Sequence, residues 1–171
     1  MTISDLNDTE YIPYFKGYID NAKGLKLLPG LQSSYNEAID FYLSIDANKL
    51  SYRYAEGKWT IKEIICHLID TERIFCYRAL RFARQDKTVL SGFDENDYVE
   101  YSKADNRSIK DLLDEYQSVR GATISLFKSF DDETLLSKGL AGTGQVSVRA
   151  LGFLIVGHEK HHIRIIKERY L

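Results

Sequence analysis

A chain of 171 residues, 44% of them apolar and 28% charged, is long enough to bury a core and too apolar to be intrinsically disordered. Its formal charge of −2, with basic residues scattered among acids, offers no phosphate-tracking stripe and argues against nucleic acid as a partner. The opening MTISDLNDTEY is polar and acidic, unlike a signal peptide, and the longest apolar run, around residues 150–156, is too short for a bilayer, so a cytoplasmic protein without a membrane partner is expected.

Both prolines, Pro13 and Pro29, lie in the first thirty residues. Residues 1–30 are therefore read as an N-terminal extension packing on a single domain that spans 1–171. A first helix is expected from about Leu31 to Ile45, after the break at Pro29-Gly30. Thr60-Ile61-Lys62-Glu63 has the form of a capping box, and apolar periodicity follows to about Ala83. The next stretch, Gln85 to Arg107, is long for a bundle connection and aromatic and acidic rather than Gly/Ser-rich. A link of that length can pack and can cross the bundle, leaving the second and third helices parallel. Ser108 opens the third helix, to about Phe130, and Ser147 caps a fourth that runs almost to Leu171. No strand shows convincing alternation. The expected fold is all-α, a four-helix bundle with a long link between helices two and three. Cys66 and Cys76 fall on the second helix, about 15 Å apart at its rise per residue, too far for a disulfide.

The chain holds four histidines, His67, His158, His161 and His162. On the last helix Leu151, Leu154, Ile155, His158, His162, Ile165 and Ile166 share one face. His158 and His162, four apart, are neighbours pointing where a core belongs, and can converge on one ion. Two buried imidazoles with no partner would leave costly unsatisfied nitrogens. His67 shares a face with Ile64, Thr71 and Ile74, at a depth that matches His162 if the two helices run antiparallel. A metal held by His67, His158 and His162 is favoured over three unrelated core histidines. His161 sits at the edge of the stripe, beside the site or facing solvent.

His158-Glu159-Lys160-His161-His162 also fits H-E-x-x-H, the motif of zinc proteases. Those enzymes take their third ligand downstream, and here the acid after His162, Glu168, lies nearly on the opposite face. The working pattern is instead H-x-x-x-H with a distant third histidine. Three neutral imidazoles leave positions open on a zinc or nickel ion, which can lower the pKa of bound water or bind a thiol as thiolate.

The segments Gly57-Lys58-Trp59-Thr60-Ile61-Lys62-Glu63, Cys66-His67-Leu68-Ile69-Asp70-Thr71-Glu72-Arg73, Tyr77-Arg78-Ala79-Leu80-Arg81, Gly92-Phe93-Asp94-Glu95-Asn96-Asp97-Tyr98 and Gly157-His158-Glu159-Lys160-His161-His162 follow in that order. Together they make the chain, from about Leu31 to its end, resemble the DinB/YfiT-like superfamily of metal-dependent enzymes. The resemblance implies an up-down-down-up four-helix bundle, zinc or nickel on His67, His158 and His162, and often a homodimer. Members include transferases that join bacillithiol, mycothiol or glutathione to electrophiles; others are described only as hydrolases.

The remaining residues divide between structural and chemical roles. Trp59 reads as a hydrophobic staple or core anchor, and Cys66 as a small core residue. Glu72 and Arg78 are suited to inter-helix ion pairs. Asp70, one turn beyond His67, is placed to orient its ring or to sit in solvent. Glu159 is a candidate base, although it points about 100° away from His158. Tyr98 and Tyr101, in the long link, are candidates to line a substrate pocket or simply to pack. The expected partners are a small-molecule thiol and an electrophile. Metal-assisted hydrolysis and a non-enzymatic stress or binding module on the same bundle are the alternatives.

Overall fold

The structure, a computed structural model, describes residues 1–142 and 144–171. Its helices are α1 (Lys16–Asp20), α2 (Leu27–Leu43), α3 (Ile61–Ala83), α4 (Glu95–Ser102), α5 (Ile109–Lys128), α6 (Asp132–Leu136) and α7 (Val148–Arg169), with one antiparallel hairpin of β1 (Lys138–Ala141) and β2 (Gly144–Ser147). The long helices α2, α3, α5 and α7 form the bundle. Among the described residues no helix is long and apolar enough to cross a membrane.

The start signals act as their chemistry dictates. Thr60 Oγ1 accepts from the Glu63 amide at 3.1 Å while the Glu63 carboxylate accepts from the Thr60 amide at 2.7 Å, closing the capping box of α3. Ser108 and Ser147 accept from the amides of Asp111 and Ala150, each at 3.1 Å. Each cap satisfies an amide that the first turn leaves free, a contribution of about 1 kcal/mol. The first bundle helix begins earlier than expected, at Leu27 rather than Leu31. Pro29 does not break it, because it falls in the first turn, where an N–H has no intrahelical acceptor, and the Gly30 amide bonds to the Lys26 carbonyl at 2.7 Å.

Side-chain pairs fix the directions of the helices. Thr60 meets Asp105 just before α3 and α5 begin, Glu72 meets Arg120 midway, and Cys76 Sγ meets Thr123 Oγ1 further on, so α3 and α5 are parallel. Tyr170 donates to the Trp59 carbonyl, and His162 lies beside His67, so α7 runs against α3. Glu37 pairs with Lys160, and Phe41 with Lys167, so α2 runs with α7. The link from α3 to α5 consequently travels the length of the bundle. It carries α4 and is tied at Leu90, whose amide donates to the Leu140 carbonyl and whose carbonyl accepts from Gly142. The hairpin is a feature that the sequence pattern does not announce. Its strands are four residues each, rich in glycine, and bury no alternating face.

The core falls into two apolar clusters. One gathers Leu27, Phe82, Phe127 and Phe153 near the hairpin; the other gathers Tyr42, Ile65, Leu112 and Ile166 at the far end. Between them lies a buried polar layer. Arg120, 1% exposed, reaches Glu72 with two nitrogens at 2.8 and 2.9 Å, Glu159 at 2.8 Å, and Ser34 and the Leu31 carbonyl at 3.0 and 3.1 Å. Thr123 and Tyr116 add donors to Glu72 and Glu159. A second buried pair, Glu10 with Arg149, fastens the N-terminal residues to the start of α7.

Candidate metal centre

α3 brings His67 to the bundle interior, and α7 brings His158 and His162 opposite. His158 Nε2 lies 3.1 Å from His67 Nε2 and 3.0 Å from His162 Nε2, and the three ligand nitrogens fall within 4.8 Å of one another. Burial pushes the His67 pKa down to about 4. Burial, reinforced by repulsion from His67 and His161, pushes that of His162 to about 3, and burial followed by its histidine neighbours holds His158 well below the ordinary range. All three rings are neutral at pH 7 and offer lone pairs.

That arrangement suits a cation. Nε2 of His158 carries either one proton or one lone pair, too little to satisfy both of its nitrogen neighbours, so the cluster is poorly paired without a cation. A tetrahedral ion bonded at about 2.0–2.1 Å would hold its nitrogens about 3.3 Å apart, near the separations found. The donor set, nitrogen alone with an open side, suits a divalent transition-metal ion better than the hard ions calcium and magnesium.

The three rings form one end of a cavity of about 310 Å³. Its wall is largely aromatic. Trp59 lies against His67 with ring centroids 4.7 Å apart and stacks on His162 at 6.3 Å, while Tyr18 meets His158 edge-on at 5.3 Å. Phe75, Phe93 and Arg78 continue the wall toward a neighbouring groove of about 420 Å³.

Several residues stand elsewhere than the sequence suggested. Glu159 does not reach the cavity. Its side chain leaves α7 on the other side and is held by Arg120 and Tyr116 in the polar layer, so it is not placed as a base. Asp70 is not bonded to His67; it faces Arg73 at 3.6 Å, and His67 Nδ1 meets Thr71 Oγ1 at a long 3.5 Å. His161 stays outside the cluster, edge-on to Tyr18 at 5.1 Å and to His162 at 5.2 Å. Tyr98 lines the neighbouring groove beside Phe93, and Tyr101, 76% exposed, lines neither space. Glu72 makes its inter-helix ion pair, with Arg120, whereas Arg78 pairs with no acid among the described residues.

Trp59 is part of the site wall rather than a staple alone. Thr71, Phe75 and Arg78 were findable, since they follow His67 by four, eight and eleven residues on one helical face. Tyr18 carried no signal. It reaches the site because α1 packs on α7 where Gly157 has no side chain.

A curated protein of Oceanobacillus iheyensis, provisionally named a metal-dependent hydrolase, is 24% identical over 126 residues, 72% of either chain. The solved structure of YfiT from Bacillus subtilis, described as a probable metal-dependent hydrolase with an unusual four-helix bundle topology, superposes with a TM-score of 0.70 at 18% identity, covering 93% of this chain and 91% of that one. The mycothiol-dependent maleylpyruvate isomerase superposes at 0.67 with 13% identity, covering 96% of this chain but 62% of the other. At such identities the superpositions speak for the fold. The match to the family model of the DinB superfamily takes in residues 31–166, and the chain belongs to that superfamily.

Proposed function

We propose that the protein is a metal-dependent enzyme that joins a low-molecular-weight thiol to an electrophile. The observation that carries this reading is the convergence of three neutral Nε2 atoms at one end of an aromatic cavity. A zinc or nickel ion held by His67, His158 and His162 would lower the pKa of a thiol or a water at its open side. Trp59, Tyr18 and Phe75 would exclude bulk water from that side and shape the space for the second substrate.

The thiol is preferred over water because neither carboxylate carried beside the site histidines on their own helices is free to serve as a base, and Glu95, on the cavity wall, is not part of the histidine cluster. Water attack is helped by a base held near the metal, and here Glu159 is committed to Arg120 and Asp70 faces Arg73. A thiol, already acidic near neutrality, needs no such base. Metal-assisted hydrolysis is the second reading, favoured by the names of the relatives.

The test is the absorption spectrum of the cobalt-substituted protein during titration with glutathione, cysteine, bacillithiol and mycothiol. A new sulfur-to-cobalt charge-transfer band with one of them is expected. A spectrum unmoved by all four, in a protein that cleaves simple esters, would overturn the thiol reading in favour of hydrolysis.

A further inference from the structure

Three arginines are buried, and two of them have a carboxylate: Arg120 grips Glu72 and Glu159, and Arg149 grips Glu10. Arg78 is the exception. It is 7% exposed, yet among the described residues its one hydrogen bond goes from Nη2 to the Ser91 carbonyl at 3.1 Å, and its other neighbour of note is the Phe93 ring, 5.9 Å from the guanidinium carbon. A guanidinium carries five N–H donors, and those of Arg78 that Ser91 does not take are not sealed in the protein, so they stay open to a ligand. Arg78 borders both the cavity that ends at the three histidines and the neighbouring groove, where Ser91 lies.

We propose that Arg78 is a substrate-binding residue, which receives a carboxylate on the molecule whose reactive end faces His67, His158 and His162. This rests on the metal-enzyme reading above and adds the substrate class to it. Arg78 follows His67 by eleven residues, so the two lie on one face of α3 about 16 Å apart along the axis, and both side chains lean toward the N-terminus, the longer arginine closing part of that span. The ligand is therefore elongated, with its anionic group several bonds from the reacting atom. A monoanion is the better fit. Glu95, the other charged group on the cavity wall, forms no ion pair with Arg78, and its negative charge disfavours a phosphate dianion. A planar carboxylate matches the guanidinium fork. Burial holds the Arg78 pKa below its ordinary value, the direction expected of a cation whose counter-charge arrives with a ligand.

The experiment uses 6-mercaptohexanoate and 6-mercaptohexanol, alike in length and thiol and different in the terminal charge. Both are titrated into zinc-loaded protein, with the emission of Trp59, the single tryptophan, as readout. The same titrations use Arg78→Met and Arg78→Lys, with circular dichroism and melting as controls for folding. The carboxylate is expected to bind about 10- to 100-fold more tightly than the alcohol, the range of a charged hydrogen-bonded contact. Arg78→Met should abolish that preference while leaving the alcohol's affinity within about threefold, and Arg78→Lys should keep part of it. Equal affinities in the parent, or a preference that survives Arg78→Met, would overturn the proposal. Hexanoate and hexanol, titrated into metal-free protein, separate the two readings. If zinc does not load, the metal-enzyme reading fails by itself, and the presence or absence of an Arg78-dependent hexanoate preference still decides the role of Arg78.

Discussion

Arg120 Nη2 stands 2.8 Å from Glu159 Oε2, and Glu159 directly follows His158 in the chain. The polar layer is thus fastened to the helix that carries two of the three site histidines. Removing Arg120 would strand Glu72 and Glu159 as buried carboxylates without a counter-charge, and burial already pushes the Glu159 pKa up. Arg120→Ala is expected to cost about 3–5 kcal/mol and to lower the melting temperature by roughly 10 °C. It should also weaken metal binding, because α7 loses the contact that sets its rotation. Arg120→Lys, unable to reproduce the bidentate contact, should fall between. Calorimetric melts with and without zinc check both effects. A variant that melts like the parent would mean that the layer does not hold the bundle together.

The metal content follows from the geometry of three nitrogens. Tag-free protein should carry about one equivalent of a divalent ion by mass spectrometry, with two further positions on the ion left to ligands at most. His67→Ala and His158→Ala should each lose the metal, whereas His161→Ala, whose ring lies outside the cluster, should retain it. Binding to the folded state alone also stabilises it. Free zinc at a hundredfold excess over Kd should add about 2.7 kcal/mol in the parent and nothing in the first two variants. Retention of the metal by His67→Ala would refute the three-histidine site.

Much of this was legible because helices announce themselves with local chemistry. Thr60, Ser108 and Ser147 are caps whose oxygens take nearby amides, so the starts of α3, α5 and α7 could be read from neighbours in sequence. His67, His158 and His162 were visible as polar residues inside apolar stripes. What stayed hidden depends on long-range contact. Glu159 seemed free to serve as a base because its partner, Arg120, lies 39 residues away on α5. Arg78 looked like one half of an ion pair, and only the packed structure shows that it pairs with no acid among the described residues. The strands of the hairpin are too short and glycine-rich to show a period of two. Pro29 misled because a proline in the first turn of a helix and a proline that ends one look alike without the turn itself.

Stability should depend on pH through Glu10. Burial alone would raise its pKa, but hydrogen bonds from Arg149, the Asn7 amide and Ser147 outweigh that and bring it to about 2, from an ordinary 4.5. A carboxylate whose folded pKa is depressed stabilises the fold fully above its unfolded pKa. That contribution falls away as the pH drops from 4.5 toward 2. The parent should therefore lose stability through this window. Glu10→Gln should be less stable by about 2–3 kcal/mol at neutral pH and should show a flatter decline in acid. Urea melts at pH 7, 5, 4 and 3 would check it, and parallel curves for the two proteins would disprove it.

Gly157 and Gly121 make a matched pair, both in helix interiors, for testing how α1 is seated over the site. Alanine is a better helix former than glycine by about 1 kcal/mol, and a Cβ at Gly121 would meet nothing within 4 Å, so Gly121→Ala should raise stability by up to that amount. At Gly157 the same methyl would run into the Tyr18 carbonyl, and the Gly157 carbonyl already accepts from Asn21 Nδ2 at 3.2 Å. Backbone on both sides leaves no flexible side chain to give way, so α1 must move. Gly157→Ala is expected to cost about 1–3 kcal/mol despite its helix propensity. It should also lift Tyr18 from the edge of His158, opening the cavity on that side. A collisional quencher read on Trp59 emission would detect the wider opening as a steeper quenching slope, with Gly121→Ala unchanged. If both variants gained stability and quenched like the parent, α1 would be a loosely laid strap rather than a wall of the site.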